Sequence, residues 1–334
     1  MTEKQRVCVT GAGGYIGSWL IKYLLSRGYI VHGTVRDPGD EKNAHLKKLE
    51  NAAENLILFK TDLFDLEGLC SAIAGCTGVF HVASFVPAFH DTVAEEEVTE
   101  PAITGTKNVM KACAAAKVKR VVVVSSIAAV VCNPKWHKDH PMDEECWSDP
   151  EFIRTLEGDF RYYLLAKTLA EREALEYNNK GNEFEVVTVC PSITIGPRLQ
   201  STINASSSLL LNLLKGSAES VEDATYHLVD VRDVAEALVL VYKNPEAKGR
   251  YICNSYTLKI SALVEKMKSM YPRPNYPKRF TEAEEAPQKG DRMLSSEKLK
   301  RLGWNYKTLE ETIVDSVICF EKTGDLPKPE AAAS

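Results

Sequence analysis

Tyr163 and Lys167 stand four residues apart in the stretch "YYLLAKT". On a helix that spacing puts both side chains on one face. An ammonium beside a phenol favours the phenolate, lowers the phenol's pKa and makes Tyr163 a workable general acid at neutral pH. A tyrosine and a lysine at this spacing occur by chance in many helices, so the pair gains its meaning from Ser126 in "VVVVSS". That serine closes a run of valines that reads as a strand, and the helix carrying Tyr163 follows it. A hydroxyl at the strand's end can bond a carbonyl oxygen that the phenol also approaches, polarising the carbonyl from two sides while hydride reaches carbon. Ser125 is the rival for that role. Side chains alternate along a strand, so its hydroxyl should face the other way.

A hydride needs a carrier, and "VCVTGAGGYIGSWL", residues 7–20, offers a place for one. Gly11, Gly14 and Gly17 follow an apolar strand and open a helix, the context that a dinucleotide fingerprint requires. The glycines permit a sharp turn and close backbone approach, and the helix start at Tyr15 and Ile16 offers unpaired N–H groups to a pyrophosphate. At the end of the second strand stands Arg36, where a carboxylate would otherwise take an adenosine ribose 2′-hydroxyl. A guanidinium there can grip a 2′-phosphate, with Lys42 as a second cation, so NADPH is expected over NAD. The alternative for Arg36 is a solvated side chain in "RDPGDEK". Asp62, beside Leu63 at the end of the third strand, could accept from the adenine amino group or cap the next helix. Val82, Ala83 and Ser84 in "HVAS" end the fourth strand with backbone suited to run close beneath a cofactor.

These residues need a frame, and the first half of the chain supplies one. "RVCVTG", "YIVHGTVR", "NLILFKTDL", "GVFHVAS", "KRVVVVSS" and "FEVVTVCP" read as six strands separated by helices. Near-continuous apolar strands alternating with helices imply a doubly wound parallel sheet, an α/β Rossmann fold. Residues 1–190 are expected to form the cofactor domain, with 226–243 returning to it. Residues 191–225 and 244–325 are expected to form a smaller C-terminal substrate lobe over the carboxyl ends of the strands.

Bulk properties exclude several classes. The 334 residues are 44% hydrophobic and 26% charged, with a net charge of −5 and no basic stripe, so nucleic acid is not an expected partner. No apolar run approaches a membrane span. Nine scattered cysteines without C-x-x-C pairs read as reduced thiols, and with no targeting segment evident a cytoplasmic protein is expected. No metal site is expected: His81, His227 and the pair His137 and His140 lack ligand spacing, and Asp230 and Asp233 suit a helix start. Ser125 and Ser126 lack the nucleophile elbow of a hydrolase.

With glycine loop, Arg36, Ser126, Tyr163 and Lys167 in this order, the chain resembles the extended short-chain dehydrogenase/reductases. Within them it looks like the plant group of dihydroflavonol reductases, cinnamoyl-CoA reductases and related cinnamyl alcohol dehydrogenases. "GTVRDP", "KNAHLKKLE", "DEECWSD", "AKTLAE", "GPRLQSTINAS" and "DVRDVAEA" carry the resemblance along nearly the whole chain. It implies NADPH as cofactor and Ser126, Tyr163 and Lys167 as the catalytic triad, with Lys167 also on the nicotinamide ribose. It further implies cofactor contacts at Arg36, Lys42, Asp62, Ala83, Pro191 and around Ser206. The CoA-ester reductases typically carry N-W-Y-C-Y-[GS]-K, and here Tyr162 replaces the tryptophan while Leu164 and Leu165 replace Cys-Tyr. That departure favours a small aromatic aldehyde of the hydroxycinnamaldehyde type, reduced to its alcohol. A CoA thioester or a dihydroflavonol-type ketone is the alternative, and a non-catalytic NADPH sensor the alternative of another class. An epimerase would want an acidic residue at Arg36. Trp136, Trp147, Phe85 and Tyr226 are candidates for the pocket wall, and the chain is expected as a monomer or homodimer.

Overall fold

The computed structural model describes residues 4–84, 94–137, 139–179, 184–273, 275–282 and 292–327. The first half runs β1 (Arg6–Thr10), α1 (Tyr15–Ser26), β2 (Ile30–Val35), α2 (Ala44–Lys47), α3 (Ala52–Asn55), β3 (Leu56–Lys60), α4 (Leu66–Ile73), β4 (Gly78–His81), α5 (Glu95–Ala116) and β5 (Arg120–Val124). Then come α6 (Pro150–Arg154), α7 (Phe160–Glu176), β6 (Glu185–Pro191), β7 (Ile193–Ile195), α8 (Ala205–Lys215), β8 (Ser220–Glu222) and β9 (Thr225–Asp230). The chain finishes with α9 (Val231–Lys243), β10 (Gly249–Cys253), β11 (Tyr256–Lys259), α10 (Ile260–Met270), β12 (Arg279–Thr281), α11 (Glu297–Arg301) and α12 (Leu309–Lys322).

Seven parallel strands form the main sheet in the order β10-β6-β5-β4-β1-β2-β3. The chain winds outward from β1 to β3, then crosses back to β4, so the order reverses between β1 and β4. A crevice opens at such a switch point outside the carboxyl ends of the strands. Both faces are covered, which is why the central strands are apolar at successive positions rather than alternately. Leu20, Ile21 and Leu24 of α1 pack with Val234 and Leu238 of α9 on one face. Leu69 of α4, Val109 and Met110 of α5 and Ala174 of α7 cover the other.

A separate apolar cluster of α8, α10 and α12 builds the smaller lobe around the three-stranded sheet β11-β9-β7. Residues 226–243 divide between the two bodies. Strand β9 joins the lobe's sheet, whereas α9 lies on the main sheet beside α1. The seventh strand of the main sheet is β10, from the stretch expected in the lobe. Its sequence, "GRYIC", places a charged residue second, and no apolar run announces it.

Candidate active site

The glycine turn is built for close approach. Gly11 has φ +68°, and a Cβ on it would lie 2.9 Å from the Ala83 Cα. A Cβ on Gly17 would stand 2.3 Å from the Gly11 carbonyl oxygen. The Thr10 hydroxyl oxygen accepts from the backbone N–H groups of Val82 and Ala83, both at 3.1 Å, pinning the end of β4 beneath the turn. Gly14 caps α1 without a side-chain hydrogen bond, so the N–H groups of the first turn are left to a ligand. These features fit a dinucleotide pyrophosphate. The Tyr15 side chain is engaged elsewhere: its hydroxyl donates to the Gly196 carbonyl at 2.8 Å. Ile16 packs against the main core.

Around this cradle, Arg36 is exposed directly after β2. Lys42 Nζ pairs with Asp40 Oδ2 at 2.6 Å. Asp62 Oδ1 accepts from the N–H groups of Phe64 (2.7 Å) and Asp65 (3.1 Å), closing the turn before α4, whose cap is Asp65. Leu63 packs against Gly105, where a Cβ would approach it to 2.9 Å. Pro191 is buried at the end of β6, and the Ser206 hydroxyl accepts from Asn204 Nδ2 at 2.7 Å in the first turn of α8.

The two serines after β5 diverge as strand alternation requires. Ser125 Oγ donates to Glu171 Oε2 at 2.8 Å. Ser126 is extended, with its Oγ accepting the Ala128 N–H at 3.1 Å and capping a short turn, Ile127–Ala129. Ser126 also hydrogen-bonds the Tyr163 phenol, whose ring stacks on Phe160 with centroids 5.5 Å apart. Burial raises the Tyr163 pKa above the usual phenol value, and the Ser126 hydrogen bond draws it only partly back. This reverses the direction expected from the neighbouring lysine. Lys167 Nζ instead donates to the Val124 carbonyl at 3.1 Å and to Ser84 Oγ at 3.4 Å. Burial pulls its ammonium down to about 8, against an upward pull from Glu171. Tyr163 therefore stays protonated at neutral pH, the state from which it can give a proton.

The remaining candidates have structural partners. Because Thr10 Oγ1 accepts two N–H groups, its own hydrogen goes to His81 Nδ1, 2.9 Å away, which leaves the ring proton on Nε2. Burial, then the charge of Lys167, lowers the His81 pKa to about 3, so the ring is neutral. His227 Nδ1 bonds Thr257 Oγ1 at 2.9 Å. Asp230 caps α9, and Asp233 accepts the Lys307 N–H at 2.9 Å. Trp136 donates to the His140 carbonyl at 3.3 Å, Trp147 lies 3.6 Å from the Arg250 guanidinium, and Tyr226 packs in the lobe cluster. Phe85 lies outside the described residues. Among the described residues there is no cluster of three metal-ligating side chains and no helix long and apolar enough to cross a membrane.

Of the three departures from the CoA-ester signature, Leu164 and Leu165 are core side chains buried against Ala128, Cys132 and Ile153. Tyr162 is half-buried against Val98 and Ala166, and its hydroxyl accepts from Arg161 Nη2 at 2.9 Å. Nothing in the sequence singled out Glu171 or Arg250. Their signal is faint: a carboxylate one turn beyond Lys167, and an arginine inside a strand.

Residues 7–254 match the model of the NAD dependent epimerase/dehydratase family. Over 325 residues the chain is 44% identical to "Cinnamoyl-CoA reductase 2" of Medicago truncatula, covering 97% of this chain and 94% of that one. The fold is similar to the crystal structure of vestitone reductase from alfalfa, with a TM-score of 0.82, 32% identity, and coverage of 97% of this chain and 100% of that one. Gre2 from Candida albicans, solved with NADPH, gives a TM-score of 0.78 at 26% identity, covering 96% and 99%.

Proposed function

The chain belongs to the NAD dependent epimerase/dehydratase family, as an NADP(H)-dependent oxidoreductase of the extended short-chain type related to the plant phenylpropanoid reductases, and we propose that it reduces the thioester carbonyl of a hydroxycinnamoyl-CoA-type substrate. The observation that carries the reading is the hydrogen-bonded pair Ser126 and Tyr163, with the phenol kept protonated by burial. Such a pair suits an oxygen on which negative charge develops. The choice of a thioester rests on the Medicago relative.

In this reading the first-turn N–H groups of α1 hold the pyrophosphate, and Arg36 with Lys42 takes the 2′-phosphate. Lys167 bonds the nicotinamide ribose. When bound, NADPH supplies the hydride. Ser126 orients the substrate carbonyl oxygen, and Tyr163 gives it a proton as the carbon is reduced. The resulting hemithioacetal collapses with cleavage of its C–S bond: the hydroxyl proton passes to the departing sulfur, and aldehyde and thiol are released.

Rates of NADPH oxidation with feruloyl-CoA, coniferaldehyde and a dihydroflavonol, measured side by side, test this. A kcat/KM for feruloyl-CoA at least about tenfold above the others supports the thioester. A preference for coniferaldehyde instead moves the assignment to aldehyde reduction. No turnover with any of the three, alongside intact NADPH binding, leaves a non-catalytic sensor.

A further inference from the structure

Glu171 lies one turn beyond Lys167 and two beyond Tyr163 on α7, with its side chain wholly buried. Its Oε1 accepts from Arg250 Nε (2.9 Å), Thr188 Oγ1 (2.5 Å) and Cys190 Sγ (3.3 Å). Its Oε2 accepts from Ser125 Oγ (2.8 Å) and Arg250 Nη2 (3.2 Å). Arg250, nearly as buried, donates onward to the carbonyls of Glu144 (3.1 Å), Cys146 (2.6 Å) and Ala129 (3.1 Å), and Trp147 covers its guanidinium. One ion pair thus ties α7, the end of β5, β6, β10 and the turn that begins at Ser126. Apolar side chains would hold these elements together without the desolvation that two buried charges incur. The placement of the charge is what apolar packing would not supply.

We infer that Glu171, fixed by Arg250, is a positioning residue for the reduction: it locks Ser125, and so the strand end that presents Ser126, and sets a buried negative charge beside Lys167. The inference rests on the roles assigned above to Ser126, Tyr163 and Lys167. A cavity of about 20 Å³, room for about one water, is lined by Lys167, Glu171, Ser125 and His81, so the lysine and the carboxylate face a common space. The groups around Lys167 are Tyr163 and Glu171 on its own helix, His81 from β4, and Cys190 from β6, with Arg250 of β10 behind Glu171. His81 is neutral, and burial raises the thiol pKa of Cys190, so Glu171 provides the negative charge. Without it, Lys167 loses its proton at lower pH.

The test is Glu171→Gln, nearly the same in shape, assayed from acid to alkaline pH with feruloyl-CoA or coniferaldehyde, whichever the parent enzyme turns over. The alkaline fall of kcat/KM should move down by about one pH unit. Near pH 6 the variant should come within a few-fold of the parent. Glu171→Asp keeps the charge but shortens the reach, so its alkaline fall should stay at the parental pH while kcat drops. Ser125→Ala breaks the link to the strand end and leaves the ion pair, so kcat should fall about tenfold with the pH profile unmoved. A Glu171→Gln enzyme uniformly slower at every pH overturns the inference. If that variant does not fold, an unchanged kcat in both Glu171→Asp and Ser125→Ala overturns it. Tyr163→Phe separates the two levels: if it remains active the underlying site assignment fails, whereas an inactive Tyr163→Phe beside an unmoved Glu171→Gln profile refutes the role of Glu171 alone.

Discussion

Ser125 and Ser126 are sequence neighbours whose hydroxyls serve opposite sides of one strand end. Ser125 donates into the buried carboxylate of Glu171 at 2.8 Å, and Ser126 bonds the Tyr163 phenol. Ser126→Ala should lower kcat by about 10²-fold while NADPH affinity changes little, read by steady-state rates and by fluorescence titration.

Tyr163→Phe removes the proton donor and keeps the ring that stacks on Phe160. Turnover should fall by about 10² to 10⁴-fold with NADPH binding within a few-fold of the parent. Retained turnover would sink the proposed chemistry.

Lys167 is held at about 8 in the folded protein against an ordinary 10.5. Activity should therefore decline as pH rises through about 8, where the ammonium is lost. The stability effect has the opposite direction. Between these two values the unfolded chain binds a proton that the folded one does not, so folding stability rises with pH across that window. Lys167→Met removes a buried charge, and it should abolish turnover yet stabilise the fold at pH 7 by about 1–3 kcal/mol, measured by denaturant unfolding.

Arg36→Glu places a carboxylate where the 2′-phosphate is assigned. The KM for NADPH should rise by about 10 to 100-fold and that for NADH should change much less. Equal shifts for both cofactors would remove Arg36 from that role.

Leu165→Ala opens a cavity beside Ala128 and Ile153. It should cost about 2–5 kcal/mol of stability while the ratio of thioester to aldehyde rates stays constant. A changed ratio would return this position to the substrate pocket.

The parallel sheet and the glycine cradle were legible because their signals are local. Apolar strands, helix periodicity and glycines at fixed spacing sit within short windows of sequence. That Ser126 meets Tyr163, with Lys167 one turn along the same helix, was legible from chain order and strand alternation together. What escaped was long-range. The pKa of Tyr163 follows from burial, which no spacing reveals, and its direction came out opposite to that expected from Lys167 alone. Glu171 and Arg250 are 79 residues apart and meet only once β10 has joined β6. Strand β10 itself was missed because its burial comes from its neighbours rather than from an apolar run.

The late position of β10 also bears on the order in which the molecule is made. A chain emerging from the ribosome at roughly 5–20 residues per second displays the cradle and α7 well before residue 250 exists. During that interval Glu171 has a carboxylate already destined for the interior and no guanidinium to meet it. The nascent protein thus carries its cofactor end early and completes its chemical end late, so a product truncated before β10 lacks the counter-ion of Glu171 however well its first six strands have paired.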